Sequence, residues 1–130
     1  MAAMNDDQRA ITTLVATYGS LLDRARVDEW LDLFAPDAEF LVYGRSFAGP
    51  EGLRSMAVGA PAGIHLGALP VITIDGDRAV VEQSFVFIDA TTHDTRVGWY
   101  DDVVVRLDGR WLIQSRRCTF LTAEGPSDRP

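Results

Sequence analysis

The chain has 130 residues, 47% of them hydrophobic, which is the length of one domain and enough apolar material for one packed core. Its 12 cations, all arginine, face 19 carboxylates for a net charge of −7. The absence of lysine excludes Schiff-base and phosphate-loop chemistry, and 2 His and 1 Cys are too few for a zinc site of several nitrogen or sulfur ligands.

An all-carboxylate site for a hard cation stays open. The acidic balance argues against nucleic acid or an anionic membrane as partner, because phosphates require a basic stripe. The lone Cys118 cannot close an intramolecular disulfide, which fits a reducing compartment. The opening Met1-Ala-Ala-Met-Asn-Asp-Asp lacks a basic segment followed by an apolar run, and no stretch approaches the ~20 apolar residues of a membrane span. The expectation is a cytoplasmic protein without a membrane segment.

In chain order, Ile11, Leu14, Val15, Tyr18, Leu21, Leu22 and Ala25 recur at helical spacing and predict an amphipathic helix from about Asp7 to Ala25. Asp28 is a candidate N-cap for a short helix over Glu29 to Phe34. Pro36-Asp37 breaks the pattern, and Ala38 to Tyr43 reads as a first strand. The Gly- and Pro-rich stretch Gly44 to Gly63 predicts a loop with a helical turn from Pro50 to Val58.

Strand-like runs follow at Ile64–Ile74, Ala79–Asp89, Arg96–Leu107 and Arg110–Leu121, two of the joints carrying Asp-Gly hairpin signals. Helices first and an antiparallel meander afterwards predict an α+β domain over residues 1–122, with a flexible polar tail over 123–130. A long helix laid over a curved sheet leaves room for a small apolar ligand between them.

Several residues stand out against this frame. Asp23 shares a helix face with Ala16, Gly19 and Ser20, so it is either an acid pointing into a cavity or a solvated last-turn Asp beside Arg24 and Arg26. His65 stands in an otherwise apolar or glycine run, either as a hydrogen-bonded structural histidine or as a general base. Tyr18, on the apolar helix face, is a core residue or a hydroxyl donor at a cavity rim. His93 falls in a loop, and Cys118 reads as a small buried residue.

A two-residue Asp108-Gly109 turn makes paired indices sum to 217, which sets Asp101 opposite Arg116 and Tyr100 opposite Arg117. Such an Asp–Arg pair is ordinary sheet stabilisation or part of an internal polar site. In the preceding hairpin, sums of 151 or 153 put Glu82 and Ser84 on the His65 face, and Asp89 reaches it only through a bulge near Pro70 or the Asp75–Asp77 turn. Tyr43 and Tyr100, with Asp89, Asp101 and Arg116, are the candidates for substrate contact.

The ordered set Tyr18–Leu-Leu-Asp23, Trp30-Leu-Asp-Leu-Phe-Ala-Pro-Asp-Ala-Glu-Phe40, Ile64-His-Leu-Gly and the final Asp-Gly-Arg-Trp-Leu-Ile resembles the SnoaL-like family of the nuclear transport factor 2-like superfamily, over about Ile11 to Phe120. The resemblance implies a cone-shaped barrel of curved antiparallel sheet closed by N-terminal helices, with an internal pocket. It implies a catalytic pair of Asp23 and His65, with Tyr18 polarising a substrate oxygen and Asp89 near a further acid of some members. No second strand histidine matches the pattern of scytalone dehydratase. The activity implied is cofactor-independent elimination or isomerisation of a small apolar or cyclic molecule, dehydration first, by a homodimer or homotrimer. The alternatives are a non-catalytic binding or accessory domain, and epoxide hydrolysis with Asp101 and Arg116 placing water.

Overall fold

The computed structural model describes residues 3–130; Met1 and Ala2, which the expected domain includes, lie outside the described residues. Helix α1 (Asp6–Asp23) begins where Asn5 and Gln8 exchange side chain-to-backbone bonds of 2.8 and 2.9 Å in a capping box. Its apolar stripe, Ile11, Leu14, Val15, Tyr18 and Leu21, is buried. The helix stops because Ala25 adopts a left-handed φ of 56°, and Arg24 and Arg26 return their N–H groups to Ser20 and Leu21.

Helix α2 (Val27–Leu31) is shorter than expected and starts at Arg26; Asp28 does not cap it but pairs with Arg54 at 2.7 Å. Phe34 therefore opens strand β1 (Phe34–Val42), which absorbs Pro36-Asp37 as a register shift between Phe34 and Glu39. Tyr43 and Gly44, with φ of 57° and 67°, turn the chain into β2 (Arg45–Ala48), followed by α3 (Gly49–Gly59). That hairpin is unreadable in sequence because a tyrosine occupies a left-handed position usually given to Asn, Asp or Gly.

The expected strand Ile64–Ile74 is two strands, β3 (Gly63–Gly67) and β4 (Val71–Asp75), divided at Ala68–Pro70. Both pair with β5 (Arg78–Asp89), which continues to β6 (Thr95–Leu107) and β7 (Arg110–Thr122). The sheet runs β2-β1-β7-β6-β5-β3 and is mixed, because β1 lies parallel to β7. It is the expected curved, cone-like sheet covered by α1, with one parallel pair among otherwise antiparallel strands. The segment expected as a flexible tail instead forms β8 (Gly125–Ser127) against β7, and the Asp128 carbonyl accepts the Tyr43 N–H at 2.9 Å.

Two register offsets decide which side chains face inward. β4 pairs with β5 at sums of 153 but β3 at 152, so the extra residue lies in Ala68–Pro70 and His65 faces Phe87. Gln83, Phe85 and Phe87 thus share the inner face with His65, while Glu82 and Ser84 are exposed. Between β6 and β7 the sum changes from 217 to 218 at Val103/Val104, which skips Gln114 and moves the inner positions of β7 from odd to even numbers.

The first turn of α1 is fastened to the sheet by Asp7, which accepts from the Trp111 indole at 3.0 Å and from Arg106 at 2.9 Å. The Trp111 hydrogen bond, opposed next by burial and helped by the Arg106 charge and hydrogen bond, holds the Asp7 carboxyl below its ordinary range. A carboxyl depressed by folding contributes stability that is complete above its unfolded value, about pH 4, and is lost as pH falls through the folded value. Thermal unfolding should therefore show wild type above Asp7→Ala at neutral pH, with the gap closing below about pH 4. A gap that persists unchanged into acid would contradict the role given to the carboxylate.

Candidate active site

α1 ends at Asp23 with its carboxylate under β3, and the two elements pack closely enough that a Cβ on Gly19 would lie 3.3 Å from the His65 Cβ. The small residues beside Asp23 on the helix are therefore accounted for by this approach as much as by a cavity. His65 Nδ1 lies 2.6 Å from Asp23 Oδ1, and the His65 backbone N–H donates to both carboxylate oxygens at 3.1 and 3.0 Å. The solvated reading of Asp23 does not hold: its side chain is only 10% exposed, while Arg24 turns to Ser20 and Arg26 to Glu29. An ionised carboxylate only accepts, so in the neutral imidazole this bond puts the proton on Nδ1 and leaves the lone pair on Nε2. Nε2 has no hydrogen-bond partner among the described residues.

The His65 ring lies against Phe87, centroids 4.7 Å apart, and meets Tyr18 edge-on at 6.5 Å. It borders a pocket walled by Tyr18, Phe85, Phe87, Tyr100, Cys118 and Phe120. Phe87 can tilt into this space because Gly63 has no side chain; a Cβ there would stand 2.5 Å from the ring. Burial, opposed by the nearby Arg116 charge, pushes the Tyr18 hydroxyl pKa above its ordinary value, and burial does the same to Tyr100. Both hydroxyls stay protonated donors near neutral pH. Burial also pushes the Cys118 thiol up to about 12, so it is no nucleophile at neutral pH.

Of the five substrate-contact candidates, Tyr43 and Tyr100 line the pocket. Asp89 has the inward register, opposite Gly63, but its strand ends there and its carboxylate accepts the Thr91 and Thr92 N–H groups at 2.8 and 3.0 Å. Those bonds, Thr92 first, hold its carboxyl below the usual range and keep it in the turn rather than the pocket. The expected Asp101–Arg116 pair is also corrected: the offset at Gln114 brings Asp102 opposite Arg116, and Asp101 is exposed outside the cone opposite Arg117. Tyr100 accordingly faces Cys118.

Arg116 makes a two-pronged bond to Asp102 at 2.8 and 2.7 Å, and both side chains are 0% exposed. Its guanidinium carbon lies 3.9 Å from the Tyr100 ring centre and 4.1 Å from that of Tyr18, behind the tyrosines rather than on the pocket surface. Burial works against the charge, yet Asp102 overrides it and the Arg116 pKa sits above its usual value. The pocket residues that the sequence does not point to include Phe85, Phe87 and Arg96, which become visible only once the inward parity of β5 and β6 is fixed. Among the described residues no three His, Cys, Asp or Glu side chains converge to hold a metal ion.

The sequence profile of the SnoaL-like domain matches residues 4–117. No curated protein matches the chain in sequence. Among solved structures, an Asp-to-Asn variant of a Mycobacterium tuberculosis protein of unknown function is 26% identical, with TM-score 0.84 over 93% of this chain and 80% of that one. A protein provisionally assigned as a scytalone dehydratase, from Novosphingobium aromaticivorans, is 22% identical with TM-score 0.80 over 94% and 87%. A type 2 hexachlorocyclohexane dehydrochlorinase is 18% identical with TM-score 0.77 over 91% and 90%. At these last two identities the likeness is one of fold.

Removing one member of a sealed ion pair strands the other charge in the core. Asp102→Ala should cost about 3–5 kcal/mol in denaturant unfolding, and Asp102→Leu combined with Arg116→Met should cost clearly less. A loss in the double variant equal to the sum of the two single losses would show that the pair is not coupled.

Proposed function

The chain belongs to the SnoaL-like family, and from that premise we propose that it is a cytoplasmic, cofactor-independent lyase or isomerase, with dehydration its main reaction. The observation that carries the reading is the 2.6 Å Asp23–His65 bond, made by a ring that borders an aromatic pocket. A non-catalytic binding or accessory domain would use the Asp23–His65 bonds only as a helix-to-strand tie and gives no reason for the ring to border the pocket with Nε2 left over. Epoxide hydrolysis loses its support, because Arg116 pairs with sealed Asp102 and Asp101 lies outside the cone.

In this reading Nε2 removes a proton from the carbon beside a substrate carbonyl. The C–H electron pair becomes the new C=C bond, and the hydroxyl departs from the next carbon. It leaves as water, taking the proton back from the imidazolium, so His65 ends neutral. Asp23 fixes the tautomer and stabilises the transient imidazolium, and a donated hydrogen bond from Tyr18 steadies the enolate oxygen. In isomerisation the same proton returns to a different carbon. The apolar walls supply a dry site in which these charges interact strongly.

Turnover of a panel of hydroxy-ketones and halogenated hydrocarbons tests this. His65→Ala and Asp23→Asn should each reduce kcat by about 100- to 10,000-fold while circular dichroism stays native. Turnover that survives both changes would reject the assignment.

We also propose a homodimer or homotrimer built on the outer sheet face, where Ile64, Leu66, Val80 and Val97 are 52%, 55%, 46% and 40% exposed. Light scattering should return a multiple of the chain mass; a monomer at micromolar concentration would refute it.

A further inference from the structure

The pocket carries one charge that the elimination chemistry does not use. Arg96 follows the loop after β5 and stands directly across that strand from His65, since His65 faces Phe87 and Phe87 faces Arg96. At the usual strand spacing this row places the two backbones about 10 Å apart on one concave face. Both side chains touch the ring between them: His65 at 4.7 Å between centroids and the Arg96 guanidinium carbon at 5.9 Å from the Phe87 centre. Among the described residues Arg96 is the only Arg, Asp or Glu in the pocket wall.

Among the described residues Arg96 makes no ion pair. The Asp89 carboxylate feels its charge but is occupied by the Thr91 and Thr92 N–H groups. The one bond Arg96 makes, at 3.2 Å, goes to the Tyr43 hydroxyl. Arginine only donates, so the Tyr43 oxygen is the acceptor and its own hydrogen remains to be given. Tyr43 is held in place at some expense: its φ is 57°, a conformation that costs a non-glycine residue energy and that gathers at ligand sites. Its ring stacks on Phe120 at 5.9 Å, and its N–H is bound to Asp128.

We propose that Arg96 and Tyr43 form a carboxylate clamp at the pocket mouth, so that the ligand is a small monocyclic carboxylate rather than a wholly apolar molecule. The inference deepens the lyase reading and rests on it for one point, that the reacting carbon lies at His65. The carboxylate takes the guanidinium and the Tyr43 hydrogen, the ring lies over Phe87, and the far edge of the ring meets Nε2. An arginine with no carboxylate in hydrogen-bond reach in an aromatic wall is the complement of such a ligand, because a carboxylate accepts its planar donors.

The probes are benzoate and cyclohexanecarboxylate, with benzamide as the neutral counterpart, titrated by NMR into wild type, Arg96→Gln, Arg96→Met, Tyr43→Phe and His65→Ala. Wild type should bind the carboxylates with Kd in the range of about 0.1–10 mM and benzamide more weakly. Either Arg96 variant should weaken carboxylate binding about 10- to 100-fold, and Tyr43→Phe about 3- to 10-fold, with benzamide binding unchanged. The two Arg96 variants guard against a single misfolded protein. Carboxylate affinity that is absent in wild type, or equal in wild type and both Arg96 variants, overturns the clamp. His65→Ala should keep the Arg96-dependent binding, and its loss would equally overturn the clamp. Because this readout needs no turnover, failure of the lyase reading would appear separately, as Arg96-dependent binding with no His65-dependent reaction.

Discussion

The Asp23 carboxylate is where helix and sheet are joined and where the chemistry of the pocket begins. A carboxylate at a helix C-terminus faces the negative end of the helix dipole, and burying it there is unfavourable without donors. His65 supplies them twice, through its backbone N–H and its ring, so the strand is pinned to the helix by the same group that orients the imidazole. A change at Asp23 therefore acts on architecture and on the base together. The proposed chemistry adds no group to this arrangement; it uses the nitrogen that the arrangement leaves over.

The wall behind the dyad is built on a second charge relation of a different kind. Arg116 and Asp102 neutralise one another inside the cone through Nε and Nη2, while Nη1 has no hydrogen-bond partner among the described residues, and the rings of Tyr18 and Tyr100 cover the guanidinium faces. The cation stiffens the tyrosines from behind, while burial keeps their hydroxyls protonated toward the cavity. Arg96 is the contrasting case, a cation at the mouth whose partner is a hydroxyl rather than a carboxylate. One arginine is spent on the frame and one is available to a ligand.

The misassigned pairings of His65 and Arg116 share one origin. β5 alternates so regularly that its inward set is clear once any one pairing is known, yet that pairing depends on where the extra residue at Ala68–Pro70 falls. The same holds for Gln114: without it Arg116 would meet Asp101, and with it Arg116 meets Asp102. Because side chains alternate with period two, an offset of one residue exchanges the whole inner and outer sets beyond it. Asp89 shows that parity is not sufficient either, since a strand end frees a carboxylate to cap its own turn.

Local spacing and residue chemistry were enough for the α+β order, the amphipathic face of α1 and the Asp108-Gly109 turn, and they singled out Asp23 and His65 as candidates that only the resemblance to the SnoaL-like family joined into a pair. Composition also determined, through the absence of lysine and the scarcity of histidine and cysteine, that acid–base chemistry by His65 was the reading to test. Only the tertiary structure decided that Asp23 is buried against His65, that Phe87 and Arg96 stand beside it, and that Arg116 belongs to Asp102. These are contacts between residues far apart in the chain, and bulges, which leave almost no local signature, set their register.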